Sequence, residues 1–127
     1  MRPRRGMTLV EVMIALTILA TAMLALAAFM AKLAHATAIA DVKNTANEIA
    51  ASRIEEIKTA PRYSMIDSTF PGNIALGPPY TGYSRQTIIS HKGGGPSDLD
   101  DYKTVTVIVR NPRLGKPVKR STIIAAY

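Results

Sequence analysis

Residues 5–31 read RGMTLVEVMIALTILATAMLALAAFMA, and this stretch decides the fold. From Val12 to Ala31 there are twenty residues, and only Thr17 and Thr21 among them are polar. At about 1.5 Å per residue, a helix of that length spans roughly 30 Å, the hydrocarbon thickness of a bilayer. Arg2, Arg4 and Arg5 precede the run and Lys32 follows it. The more basic flank stays inside, which predicts a single pass with the N-terminus cytoplasmic and the rest of the chain exported.

A secretory signal peptide also has a basic start and an apolar stretch, and Ala34-His35-Ala36 offers a small-residue cleavage pattern. The apolar run is longer than the ~7–15 residues of a signal core, however. Glu11 also sits at its very start. A carboxylate at the edge of a membrane span costs a few kcal/mol unless it is paired, so its presence there points to a function.

The residues around Glu11 carry a resemblance. Arg5-Gly6-Met7-Thr8-Leu9-Val10-Glu11, followed by an unbroken apolar span, resembles the signal of type IV prepilins and type II secretion pseudopilins. The resemblance implies that a prepilin peptidase cuts after Gly6, that the new N-terminus at Met7 is methylated, and that Glu11 is the assembly residue. It implies a subunit held first in the bacterial inner membrane, then packed with other pilins or pseudopilins by an inner-membrane assembly platform. Elementary chemistry agrees with these roles. Gly6 has no side chain to keep a protease from the backbone. A carboxylate is favoured in the first turn of a helix, and two charges in hydrocarbon must be paired. Two features depart from the commonest pattern of the family: Met rather than Phe at position 7, and no helix-breaking Pro within the span.

No Pro or Gly occurs from Met7 to Ala60, and Pro61 ends the run. This predicts one helix over residues 7–60, with 7–31 as membrane or filament core and 32–60 as an amphipathic continuation. In the second part Val42, Ala46, Ile49, Ala50, Ile54 and Ile57 recur at 3–4 spacing, the stripe of a helix that covers a core. Its Ala46–Lys58 stretch resembles, more loosely, the same region of minor pilins and of the I-type pseudopilin of type II secretion.

Residues 61–127 read as a head. Pro71-Gly72-Asn73 and Gly77-Pro78-Pro79 mark residues 61–81 as a loop. Residues 82–127 read as a meander of about three strands: Tyr83–His91, Tyr102–Arg110 and Val118–Ala126. Val105, Val107 and Val109 alternate on one face and need the helix stripe to cover them, with Ile123 or Ile124 beside them. The expected class is α+β and pilin-like, with a cleaved leader at residues 1–6.

The chain of 127 residues has room for one domain, carries a formal charge of +7 and has no cysteine. That excludes a disulfide framework, thiol catalysis and a Cys-ligated metal. From Pro61 onward nine Lys and Arg face four acids. Arg110, Arg113, Lys116, Lys119 and Arg120 crowd the last hairpin and form a candidate patch for nucleic acid or a partner, though no aromatic platform is interleaved. DNA is the weaker choice of partner, and a DNA-receptor competence pilin or a non-polymerising membrane anchor stand as alternatives. Asp98, Asp100 and Asp101 offer oxygen ligands for Ca²⁺, but Asp next to Gly and Pro is ordinary turn chemistry. His35 and His91 stand apart from each other and from a nucleophile, and no phosphate loop or dinucleotide fingerprint occurs. The sequence therefore calls for no cofactor and no enzymatic reaction.

Overall fold

The structure is a computed structural model and describes residues 8–94 and 101–125. It contains α1 (Leu9–Lys58), a 3₁₀ turn (Tyr63–Met65), α2 (Ile66–Thr69), and strands β1 (Gly72–Ala75), β2 (Ser84–Lys92), β3 (Tyr102–Arg110) and β4 (Val118–Ala125). Two compact units divide the chain, the first ending at Ala38 and the second beginning at Ile39.

In the first unit every side chain from Thr8 to Ala38 is exposed. The two polar side chains of the apolar run are satisfied inside the helix. Thr17 Oγ1 donates to the Met13 carbonyl at 2.8 Å, and Thr21 Oγ1 lies 3.0 and 2.9 Å from the carbonyls of Thr17 and Ile18. Such back-bonding leaves no hydroxyl seeking water, which is what a segment in hydrocarbon requires.

In the second unit the α1 stripe packs on an antiparallel sheet of order β1-β2-β3-β4. The predicted stripe residues Val42, Ala46, Ile49, Ala50, Ile54 and Ile57 are all buried, and Arg53 joins them. On β3 the alternation is strict. Val105, Val107 and Val109 are fully buried against the helix, while Thr104, Thr106 and Ile108 face outward. Register decides between the two candidate isoleucines of β4: Lys103 pairs with Ile124, so Ile124 lies on the helix side and Ile123 is 66% exposed.

Three expectations need correction. The sheet has four strands, because the segment 61–81 is not simply a loop. Gly72–Ala75 pairs with Ser84–Thr87 and covers the edge of β2, although Ile74 is its sole β-branched residue and turn formers flank it. The connection closes through Leu76 N–H to the Tyr83 carbonyl at 2.9 Å, with Gly82 at φ +88°, a backbone conformation suited to glycine. Around it, residues 63–69 form the 3₁₀ turn and α2. Finally, within the described residues α1 runs from Leu9 to Lys58, so its end falls two residues before Ala60.

Ile57 is fully buried at the centre of the core. Ile57→Ala is expected to destabilise the head by about 2–5 kcal/mol. Ile123→Ala, on an exposed side chain, is expected to change stability by less than about 0.5 kcal/mol. Urea unfolding of the full chain in detergent, followed by tyrosine fluorescence, checks the contrast.

Candidate functional site

The first candidate lies at the start of α1. Thr8 is its N-cap: the Thr8 carbonyl accepts the Val12 N–H at 3.2 Å, and its hydroxyl oxygen accepts the Glu11 N–H at 3.4 Å. Glu11 is then the third helical residue, the spacing of a capping box. Thr8-Leu9-Val10-Glu11 is the sequence signal for this start. Glu11 is exposed, and among the described residues its carboxylate has no ion-pair partner. The first turn offers it the partial positive charge of the helix end. Arg2, Arg4, Arg5, Gly6 and Met7 lie outside the described residues.

A second cluster, which sequence reasoning missed, closes the far end of the sheet beyond the last turn of α1. The inner row of β3 continues past Val105 with Lys103 and Asp101, both almost fully buried. Asp101 Oδ1 accepts the Tyr63 hydroxyl at 2.7 Å and lies 2.6 Å from His91 Nε2. Lys103 Nζ donates to the Tyr63 carbonyl, pairs with Asp67 at 2.8 Å and sits 4.2 Å from the Tyr63 ring centroid. The cluster ties the 3₁₀ turn and α2 to the sheet where the helix no longer covers it. Asp101 and Lys103 each have a partner, as burial demands, although the buried Oδ2 of Asp101 has none among the described residues. His91, which the sequence sets apart from His35 and from a nucleophile, is bonded to a carboxylate ten residues away.

The electrostatics of this cluster fit a clamp rather than a reactive centre. The Tyr63 hydrogen bond foremost, then those of His91 and the charge of Lys103, hold the Asp101 carboxyl below its ordinary range against the opposing effect of burial. Burial first, and then Asp101 and Asp67, push the Tyr63 phenol well above its ordinary range. The phenol is held protonated, the opposite of what a nucleophile or general base requires. As for calcium, Asp101 Oδ1 is bonded to Tyr63 and His91, its buried Oδ2 has no partner among the described residues, and Asp98 and Asp100 lie outside the described residues. Among the described residues no group of three or more metal-ligating side chains comes together.

Arg53 is a buried cation on the core stripe. Its stem lies in the core while its guanidinium reaches Glu56 at 2.7 Å and the Phe70 carbonyl at 3.2 Å, with the Phe70 ring 4.9 Å away. Arg85 of β2 is shifted below its ordinary pKa by burial first and by Arg53 second.

The structure divides the basic hairpin that the sequence groups together. The β3–β4 turn is set by Asn111, whose carbonyl accepts the Leu114 N–H at 3.0 Å and whose Oδ1 accepts the Arg113 N–H at 2.9 Å. Lys116 and Lys119 border a depression shared with Ile39, Lys43 and Asn47 of α1. Arg120 lies on the helix side of β4, beside Glu55 and Lys58. Arg110 lies on the outer face, bonded to Gln86 at 2.9 Å.

Asp101 yields a pH prediction. An ordinary carboxyl titrates near pH 3.9 in the unfolded chain. Because the folded value is lower, the contribution of Asp101 is present above about pH 4 and is lost as pH falls through the folded value. The melting temperature of the full chain in detergent should therefore fall below about pH 4. Asp101→Asn should melt lower than the natural chain at pH 7 and show a shallower fall in acid.

Among family models, the prokaryotic N-terminal methylation motif matches residues 1–27. No curated protein and no solved structure matches the chain. The matched segment holds Gly6, Met7 and Glu11 and runs into the exposed apolar half of α1. With that motif, a long N-terminal helix and a four-stranded antiparallel sheet, the chain carries the type IV prepilin signature on an α+β, pilin-like layout.

Proposed function

We propose that this protein is a minor pilin or pseudopilin, a structural subunit rather than an enzyme. A prepilin peptidase removes residues 1–6 by cutting after Gly6 and methylates the amine of Met7. Arg2, Arg4 and Arg5 hold the leader on the cytoplasmic face, where that cut takes place. The subunit then leaves the bilayer by exchanging lipid contacts for helix–helix packing with other pilins, a process driven by close packing and interhelical contacts. The observation that carries this reading is the methylation motif at residues 1–27, which runs into a helix whose apolar half is exposed among the described residues.

In this account Glu11 neutralises the terminal amine of a neighbouring Met7. Both charges lie at the edge of hydrocarbon, and each relieves the desolvation cost of the other. The Thr8 cap supports the proposed role, because it fixes Glu11 in the first turn of α1. An assembly platform in the inner membrane and the other subunits of the filament are the partners this reading requires. The head is then carried outside the membrane, in the periplasm or on the filament surface.

Intact mass of the full chain, coexpressed with and without a prepilin peptidase, tests the reading. The expected product has lost Met1–Gly6 and gained one methyl group. An unprocessed chain beside a processed control prepilin contradicts it, and a cut near Ala36 points instead to a secretory signal. Glu11→Ala is expected to leave processing intact and to reduce recovery of the subunit in sheared filaments by tenfold or more, on the order of the cost of one unpaired charge in hydrocarbon.

A further inference from the structure

A cleft of about 490 Å³ opens at one end of the sheet, between the β1–β2 connection and the β3–β4 turn. That volume lies in the range of ligand sites, roughly 300–1,000 Å³. Leu76, Tyr83, Pro112, Leu114 and Pro117 line it, and Arg110 is its sole charged lining residue. Arg110 gives one N–H to Gln86 at 2.9 Å, which leaves most of its five donors unspent. Arg113 lies exposed in the adjoining turn, and among the described residues neither arginine takes part in an ion pair. No acid occurs from Gly72 to Lys92 or from Tyr102 to Ala125, so no acid of the strands competes for them. The cleft therefore asks for an apolar side chain beside a carboxylate.

We infer that this cleft receives the Asp98-Leu99-Asp100 segment of a second copy of the chain. The inference rests on the proposed role as an assembling subunit and names one contact between heads. Asp98, Leu99 and Asp100 lie outside the described residues, and their sequence supplies one apolar side chain between two carboxylates. The other acids of the head do not meet the demand. Asp67 is paired with Lys103, and Asp101 is buried on Tyr63 and His91. Asp41, Glu48 and Glu55 share one face of α1 with Thr45 and Ser52, none of which can fill an apolar cleft. The segment cannot serve its own copy. Leu99 is three residues from Tyr102, a reach of about 10 Å, whereas Tyr102 and Arg110 stand about 26 Å apart along β3. Cleft and segment thus belong to opposite ends of the sheet. A shift of one copy along the strand direction brings unlike ends together and keeps every α1 pointing the same way. Such a head-to-tail contact passes from copy to copy instead of closing on a pair.

The absence of cysteine permits a direct test. A side chain added at Gly115, beside the cleft, meets nothing within 4 Å. Two full-length chains with different tags, one Ser97→Cys and one Gly115→Cys, are coexpressed with the peptidase and assembly machinery and treated with a short bismaleimide. The expected product joins residue 97 of one chain to residue 115 of the other. Arg110→Glu with Arg113→Glu in the Gly115→Cys chain should lower its yield by at least about tenfold, because like charges then face each other. Asp98→Lys with Asp100→Lys in the Ser97→Cys chain should do the same, and combining the two reversed chains should restore the product, which a misfolded head would not. Crosslinks of residue 115 only to another protein, or in 115–115 pairs, overturn the inference. So does the absence of a 97–115 product where cysteines at Ile18 crosslink the helices in the same cells, an outcome that leaves the proposed assembly standing. Loss of both kinds of crosslink overturns the assembly reading itself and this contact with it.

Discussion

The structure depends on a surface with nothing to cover it. The apolar half of α1 exposes Leu, Ile, Met and Phe side chains along its full circumference. A helix hydrophobic all round is buried in something, and the described residues supply no cover. The two threonines within it turn their hydroxyls back on the helix, so the segment asks nothing of water. Its sole acid stands at the first turn, where the helix end and a capping hydroxyl hold it. A bilayer or a filament core would each meet that demand, as the proposed function requires.

The head answers a smaller version of the same constraint. Its half of α1 offers one apolar stripe, and the inner face of the four-stranded sheet packs on it. Where the helix stops at Lys58, the inner face of β3 would be bare. There the row changes from valine to Lys103 and Asp101, and a short turn with Tyr63 and Asp67 folds over them. Hydrogen-bonded charge replaces apolar cover at the point where apolar cover runs out. Such a cluster is strong only while it is complete, since removing one partner leaves the others buried and unpaired. The sheet is thus pinned at both ends, by this cluster beyond the helix and by the Tyr83 hydroxyl on Val42 near its start.

What the sequence disclosed follows from how far each signal reaches along the chain. The helix was legible because an unbroken run without Pro or Gly is a local fact. The same holds for β3, where alternation of Val105, Val107 and Val109 is strict. The stripe on α1 was legible from its spacing. β1 was not, because four residues with a single branched side chain become a strand only when β2 offers an edge. The clamp was not, because Tyr63 and Asp101 are 38 residues apart and neither is unusual alone. Arg53 breaks the hydrophobic pattern it sits in and is buried because Glu56 and Phe70 meet its end. The basic hairpin was visible as a cluster, but only register shows that Arg120 turns to the helix side while Lys119 shares the outer face with Ile108.

The central claim is that the bare half of α1 is an assembly surface. Single cysteines placed at positions such as Ile14, Ile18 or Leu26, in a chain with none of its own, measure this directly by disulfide crosslinking in cells. The account predicts crosslinks to neighbouring pilin helices at these positions when the peptidase and assembly machinery are present, and their loss in Glu11→Ala. A processed chain whose cysteines never crosslink to another subunit, while a control pilin in the same cells does, would contradict it.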